Sequence, residues 1–285
     1  MSASTTTALA AADPIARGSV PRLTFSRIAR AEWIKTRSVR SSYWTAAATV
    51  AFTVLFAAGV LLLVSIAPAA DVPDPAAIIV DNYGAAPGVG VVGFAFLFAY
   101  ALVAVFGVLV VSTERSTGLL AATLAAVPRR TPVLAAKLLV SAVVGMTIGL
   151  VGAVASFLLV QPQLGGLGLG SSLVDPEVLQ VLAGGTLFVG LIAVMSTAIA
   201  SLFRGTAAAL GAVLGLLVLA PTLIPIIPGI GGEIAGILPS SAGMMLFQSA
   251  NQVGWQPIVT GGLVLLGWTI GAVALAGVLF KRRDV

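Results

Sequence analysis

Six long apolar segments alternate with short polar or charged stretches along the chain. They run over approximately residues 44–67, 91–112, 133–160, 178–203, 206–227 and 258–280. Each is long enough for the ~18–20 apolar residues that a helix needs to cross a bilayer. Only a short turn around Arg204 separates the fourth segment from the fifth, and together they are too long for one crossing at ~1.5 Å per residue. The pattern therefore predicts six transmembrane helices, with a tight hairpin between spans four and five.

The basic residues support this count of spans. Of the 15 Lys and Arg residues, seven precede the first span, four lie at the junction of spans two and three, one lies in the hairpin and three follow span six. Six crossings place all of them on one face, whereas five or seven would scatter them. The only charged residues in the loops on the opposite face are Asp and Glu. By the positive-inside rule, both termini are expected to be cytoplasmic in a multi-pass protein of the plasma (inner) membrane.

The composition excludes several classes of function. The chain has 285 residues, 59% of them hydrophobic and 9% charged, which is outside the range of soluble domains. It has no Cys and no His, so disulfides, imidazole metal sites and Ser-His or Cys-His dyads are impossible. No Gly-Lys dipeptide occurs, so a P-loop is absent, and the G-x-G-x-x-G match at residues 88–93 enters a span. We expect no enzyme activity, no bound metal or cofactor and no nucleic-acid partner.

The segment before the first span is interpreted in two parts. Residues 1–21 are small and polar and are expected to form a disordered cytoplasmic tail. Residues 22–43 fit a basic amphipathic helix on the membrane surface, in contact with lipid. Its apolar side is predicted to contain Phe25, Ile28, Ala29 and Trp33. Glu32 falls in that sector and is expected to face a protein contact or to pair with Lys35. The alternative is a solvated basic leader that only sets topology.

A charged insert separates spans two and three. It has roughly 20 residues, whereas a simple connection needs about 4–6. Ser112 or Thr113 is predicted to cap the start of a helix, with Glu114 near its positive end and Pro128 at its stop. Its apolar face, formed by Leu119, Leu120, Leu124 and Val127, requires a docking partner. Lys137 follows near the beginning of span three, where its side chain can reach the membrane surface by snorkelling.

Residues 228–257 are too apolar for a free loop and too interrupted for a span, so short re-entrant or interfacial helices are predicted. Three prolines, Pro221, Pro225 and Pro228, are expected to end span five early or to kink it. Two further sets of residues have both a specific and an ordinary interpretation. Met244, Met245 and Phe247 could line an extracellular gate or simply pack. The glycines of span three, Gly145, Gly149 and Gly152, either form a close-packing face or reflect the abundance of glycine.

The order of these features resembles the permeases of the type-two exporter family of ATP-binding-cassette (ABC) transporters. The similarity runs from about Arg22 to the C-terminus. It is carried by the sequence 31–35 in the first helix and by the pattern E-x-x-x-G-x-L-x-x-x-L-x-x-x-P-R-R between spans two and three. The A-A-K-L-L opening of span three and the L-F-R-G-T turn between spans four and five are also similar.

This resemblance implies a fold and a role. Residues 22–43 would be the elbow helix, with Phe25, Ile28, Glu32, Trp33 and Lys35, and residues 44–285 the six-span domain. The insert would be a coupling helix that docks on a separate ATPase subunit. The implied interface residues are Glu114, Arg115, Gly118, Leu119, Leu124, Arg129 and Arg130. Two ATPase subunits, which bind ATP and Mg²⁺, would pair with two permeases, the second being a copy or a paralogue.

Function is expected to follow from this assembly. Because no charged residue lies well inside a span, the cargo is expected to be apolar or amphipathic, and export is the expected direction. An ion-coupled secondary carrier is the first alternative, although such carriers usually hold charges at mid-membrane. A membrane protein with an assembly or signalling role is the second.

Overall fold

The computed structural model describes residues 24–66, 87–119, 123 and 130–282, and these residues form helices and turns without a strand. The α-helices are α1 (Phe25–Ser38), α2 (Arg40–Ile66), α3 (Pro87–Ser116), α4 (Arg130–Gly166), α5 (Pro176–Leu202), α6 (Thr206–Leu214), α7 (Ala220–Leu223), α8 (Gly231–Gly236), α9 (Pro239–Gly243), α10 (Ala250–Val253) and α11 (Trp255–Arg282). A π-helical turn, Gly215–Leu219, joins α6 to α7, and 3-10 turns occupy Ile224–Ile226 and Met244–Phe247. The tail predicted at residues 1–21 lies outside the described residues.

Five described helical stretches are long and apolar enough to cross a membrane. They are Arg40–Leu62, Arg130–Gly166, Pro176–Leu202, Thr206–Ile226 and Trp255–Phe280. The remaining predicted segment, 91–112, lies within α3, which has 30 residues. The prediction of an all-helical membrane protein is therefore confirmed in helix content and helix length. The hairpin between the fourth and fifth segments is also present, at Phe203–Gly205 between α5 and α6.

Helix α5 forms the centre of the molecule, in contact with α3, α4, α11 and the short helices that precede α11. Its approach to α4 depends on glycine. A Cβ atom on Gly145 would lie 2.7 Å from Cβ of Ala193, and one on Gly149 would lie 3.1 Å from Cβ of Val189. The predicted close-packing face of span three is confirmed at these two positions. Gly152 faces Thr53 of α2 instead, at an ordinary contact distance of 3.6 Å.

The junction between the predicted elbow helix and the first span is a break, not a continuous bend. Val39 is extended, with φ −85° and ψ 117°, and its N–H donates to the Lys35 carbonyl oxygen to close α1. Helix α2 then begins at Arg40, four residues before the predicted start of the span. The break frees α1 to lie at its own angle against α4, on which it packs.

The prolines after α6 change the helix type before they end it. At the π turn, the Ala220 N–H donates to the Gly215 carbonyl oxygen, five residues earlier. Pro221 has no N–H to offer the carbonyl of Leu217, four residues before it. That carbonyl oxygen accepts from the hydroxyl groups of Ser240, at 2.7 Å, and Tyr100, at 3.3 Å. The helical path therefore continues to Ile226, so the expectation that the prolines end span five early is wrong.

The short helices before α11 fold back among the long ones, as the interrupted sequence predicted. The Ser240 contact places α9 beside the middle of the stretch Thr206–Ile226. The Trp268 indole N–H, near the middle of α11, donates to the Ile237 carbonyl oxygen at 2.9 Å. The segment thus extends to about the middle of the long helices around it. The Trp268 indole satisfies a backbone carbonyl of this segment, and the Ser240 hydroxyl satisfies the Leu217 carbonyl that the π turn leaves open.

We predict that Gly145→Ala destabilises the protein and that Gly152→Ala does not. The added methyl group of Gly145→Ala would overlap Ala193, and overpacking of this kind costs ~1–3 kcal/mol, which outweighs the ~1 kcal/mol gain in helix propensity. At Gly152 the methyl group has room, so only the propensity gain acts. The measurement is the apparent melting temperature of each purified variant in detergent. Equal melting temperatures for the two variants would show that the α4–α5 contact is not tight.

Candidate functional site

A buried ionic cluster joins three helices at one end of the molecule. It consists of Glu32 and Lys35 from α1, Glu114 from the last turn of α3 and Lys137 from the beginning of α4. Glu32 and Lys35 are three residues apart and therefore lie on the same side of α1. The cluster contains two carboxylates and two ammonium groups, so its formal charge is zero.

Lys137 makes the two shortest ion pairs of the cluster. Its Nζ donates to Oε2 of Glu32 at 2.7 Å and lies 2.6 Å from Oε1 of Glu114. Lys35 Nζ donates to Oε1 of Glu32 at 2.8 Å and lies 3.5 Å from Oε1 of Glu114. It also donates to Oγ1 of Thr123, at 3.2 Å. Each ammonium group therefore touches both carboxylates, and Lys35 also reaches into the predicted coupling insert.

Burial makes this pairing obligatory. Lys137 is only 1% exposed, Glu32 3% and Glu114 7%. An isolated charge removed from water loses several kcal/mol of hydration, which only a close opposite charge can offset. Glu114 has a second cost, because the end of α3 carries the negative end of the helix dipole. The two lysines offset both the lost hydration of Glu114 and its unfavourable interaction with the helix dipole.

The predicted role of Glu114 at the start of a helix is wrong. Helix α3 continues through Ser112 and Thr113 to Ser116, so neither residue caps a helix start. Thr113 instead donates its hydroxyl hydrogen to the Leu109 carbonyl oxygen, at 2.7 Å. The apolar run of span two extends its helix through the polar residues because Glu114 finds two lysine partners there. The turn comes at Gly118, whose φ of +72° lies in the left-handed region that favours glycine.

The prediction that Lys137 extends towards the membrane surface is also wrong. Its ammonium group turns inward to Glu32 and Glu114, because extension towards solvent would leave both carboxylates buried with less compensation. Lys137 is thus the member of the site that sequence reasoning missed. The available signal was a pair of opposite charges, Glu32 and Lys137, each at a position where its helix was otherwise apolar.

The structure places the other predicted coupling residues around this cluster. The Arg115 guanidinium donates to the Ser201 carbonyl oxygen at 2.7 Å, in the last turn of α5, where a cation also complements the helix dipole. Leu119 is exposed just after the Gly118 turn, and the half-buried Arg130 begins α4. Leu124 and Arg129 lie outside the described residues.

The elbow residues divide into a packed set and an exposed set. Ile28 is buried in one apolar cluster with Val133 and Leu134 of α4 and Phe280 of α11. It shares its side of α1 with Glu32, which pairs with Lys35 as predicted. Phe25 and Trp33 are exposed and lie to one side of that contact. Helix α1 therefore packs through the side that carries Glu32. Its aromatic residues, which the sequence pattern had placed on the apolar side, lie away from that contact.

The predicted gate residues lie at the opposite end of the molecule. Phe247 is buried against the rings of Phe96, at a centroid distance of 5.5 Å, and Phe188, at 5.3 Å. Met244 and Met245 are half-buried beside it. This part of the chain is fastened to α5 by Glu177, whose carboxylate accepts hydrogen bonds from Ser249 and Asn251.

Thr197 makes a buried polar contact between three helices. Its hydroxyl oxygen lies 3.1 Å from the Gly107 carbonyl oxygen of α3 and 2.9 Å from Oγ of Ser141 of α4. The close approach is possible because Gly107 has no Cβ, which would lie 2.8 Å from the Ala193 carbonyl oxygen. Helices α3, α4 and α5 are thus joined away from the ionic cluster, which itself joins α1, α3 and α4.

Comparison with models of known protein families gives no match, and a search among curated proteins finds no relative of this chain. Function must therefore be inferred from the residues and their geometry.

We predict that Lys137→Met destabilises the protein by ~3–5 kcal/mol, because it leaves two buried carboxylates with one lysine. The matched change Lys35→Met removes an ammonium group that is already partly in solvent, where an ion pair contributes ~1 kcal/mol or less. Chemical or thermal unfolding of both variants in the same detergent gives the comparison.

A rescue experiment separates charge from packing at the same position. If uncompensated charge is the cause, adding Glu114→Gln to Lys137→Met should recover part of the lost stability. A double variant no more stable than Lys137→Met would contradict the electrostatic explanation and leave packing as the cause.

Proposed function

We propose that this chain is the permease subunit of an ABC exporter of the type-two family. In this proposal six helices cross the plasma (inner) membrane with both termini in the cytoplasm. Residues 114–130 couple the permease to a separate ATPase subunit, and the complex contains two copies of that ATPase and two permeases. ATP and Mg²⁺ are bound by the ATPase, and the chain itself catalyses no reaction.

The observation that carries the proposal is the ionic cluster at the base of the predicted coupling insert. The insert leaves α3 just after Glu114 and returns to the membrane in α4 before Lys137. These two residues are in contact with each other, and both contact α1. A displacement imposed on the insert would therefore move the ends of three helices together. A connector with no mechanical role has no need for a buried, four-member ionic junction at its base.

The paths from this junction into the rest of the molecule also fit coupling. The Arg115 contact with Ser201 attaches the end of α3 to the end of α5. Helix α5 has 27 residues, which corresponds to about 40 Å, and its other end holds Glu177 against the segment before α11. In the proposed orientation that segment lies on the extracellular side. One rigid helix thus connects the ATPase side with the exit side.

An apolar cavity supports the expectation of an apolar or amphipathic cargo. It has a volume of about 590 Å³, lies between α5, the π turn and α11, and includes Met195, Leu216, Trp268 and Leu275 in its lining. This volume is within the ~300–1,000 Å³ range of small-molecule sites. None of the described residues that line it is acidic or basic. A carrier that binds an ion at mid-membrane would instead place charge there.

We predict that Leu119→Asp reduces co-purification of an ATPase with the tagged chain. Leu119 is an exposed apolar side chain at the start of the insert, so a carboxylate there would be desolvated on docking. Val174→Asp is the matched control, because Val174 is also exposed but lies in the turn between α4 and α5. The readout is the amount of ABC ATPase identified by mass spectrometry after expression in the native host.

The expected result is a loss of at least tenfold for Leu119→Asp and none for Val174→Asp. Equal recovery of ATPase with both variants would remove the coupling assignment. If the purified chain alone transported cargo in liposomes along an ion gradient, without an ATPase, the permease proposal would fail and the secondary carrier would be preferred.

The proposed topology predicts which side of the membrane each loop faces. The chain has no cysteine, so single variants can be labelled without background. In intact cells, Val174→Cys should react with a membrane-impermeant maleimide, and Thr117→Cys should react only after permeabilisation. The reverse pattern would invert the orientation, and labelling of both from outside would contradict six spans.

A further inference from the structure

A second cavity, of about 260 Å³, lies between α1, α2 and α4. It is separate from the ionic cluster and opens beside the break that divides α1 from α2. Its rim and walls include Trp33, Thr36, Arg37, Ser42, Tyr43 and Thr147. The remaining lining is aliphatic and comes from α2 and α4. The cavity therefore has a polar, aromatic rim above an apolar floor.

The rim is positively charged, and none of the described residues that line the cavity is acidic. Arg37 is exposed, and no described residue forms an ion pair with it. Glu32 and Glu114, the acids of the ionic cluster, are buried and engaged with lysines. Arg40 is also exposed, at the start of α2. A ligand whose charge is complementary to this rim is an anion.

The aromatic residues place the rim at the level of lipid headgroups. Trp33 is 36% exposed, Tyr43 55% and Trp44 75%. Exposed Trp and Tyr at the end of a membrane-spanning helix are typical of the interface between hydrocarbon and water. Helix α2 begins its candidate span at Arg40, so the floor of the cavity faces the hydrocarbon side of that interface.

We propose that this cavity is a binding site for one anionic phospholipid of the leaflet that borders α1. Its phosphate is bound by Arg37, and the upper part of one acyl chain lies on the floor between α2 and α4. The volume is below the ~300–1,000 Å³ of drug-sized sites, which suits part of a lipid better than a whole small-molecule ligand. The bound lipid would fasten α1 to the first and third spans. This site does not depend on the transport function.

The test uses the purified full-length chain and two lipids with identical acyl chains, phosphatidylglycerol and phosphatidylcholine. Native mass spectrometry of the detergent-solubilised protein counts the molecules of each lipid that stay bound during titration. We expect one phosphatidylglycerol to bind in preference to phosphatidylcholine. Arg37→Ala should weaken that binding about fivefold, the effect of ~1 kcal/mol per arginine near a membrane surface. Arg37→Lys should retain most of it.

Two further variants separate a built site from a diffuse basic surface. Arg30→Ala removes a charge that is also exposed, on the same side of α1 and two turns from Arg37, and should leave binding unchanged. Thr147→Phe fills the cavity from its α4 wall without altering charge, so it should weaken the binding of both lipids. Melting temperatures of all variants verify that each is folded.

Three results would overturn the proposal. The first is equal loss of phosphatidylglycerol with Arg30→Ala and Arg37→Ala, which indicates a diffuse surface effect. The second is no loss with either Arg37→Ala or Thr147→Phe when both are folded. The third is a change in the ratio of monomer to dimer without a change in bound lipid, which would make this surface a contact between copies of the chain.

Discussion

The pairing of Lys137 with Glu32 and Glu114 is the interaction on which the arrangement of α1, α3 and α4 depends. Each of these charges is almost completely removed from water, so none can remain there without the others. Apolar contacts tolerate sliding and rotation, but three buried charges on three helices fix both position and angle. The cluster explains why α3 continues beyond its apolar run, and why α1 turns its acid rather than its aromatic residues towards the protein.

The two ends of the helix bundle are held by different physical means. At the end near α1, ion pairs dominate, and Arg115 adds a charged hydrogen bond to the end of α5. At the other end, hydroxyl, amide and indole groups satisfy carbonyls of broken helices, as Ser240 does for Leu217. Between them, glycine contacts such as Gly145 against Ala193 bring α4 and α5 together. A rigid centre with a charged junction at one end and an irregular segment at the other is a suitable arrangement for transmitting movement along the helix axes.

The sequence predicted part of the candidate site and missed the rest for a specific reason. Glu32 was expected to pair with Lys35. Glu114 and Arg115 were assigned to the same side of the membrane as the elbow helix. Lys137 was assigned to the membrane surface because a lone lysine near a span end usually extends there. Only its distance to two carboxylates reverses that choice, and those partners are 23 and 105 residues away in sequence. Helical periodicity describes neighbours within one helix and gives no information about such contacts.

The sequence alone determined the helical class, the approximate limits of the long helices, the hairpin around Arg204 and the interrupted segment before α11. These follow from local properties, namely the length of apolar runs, proline and glycine positions, and the need to satisfy every backbone group in an apolar environment. The tertiary structure decided where α3 ends, which side of α1 is packed and where the buried charges find partners. Those outcomes depend on the hydration that each charge loses and on the partner that replaces it, and both quantities are defined only once the helices are packed.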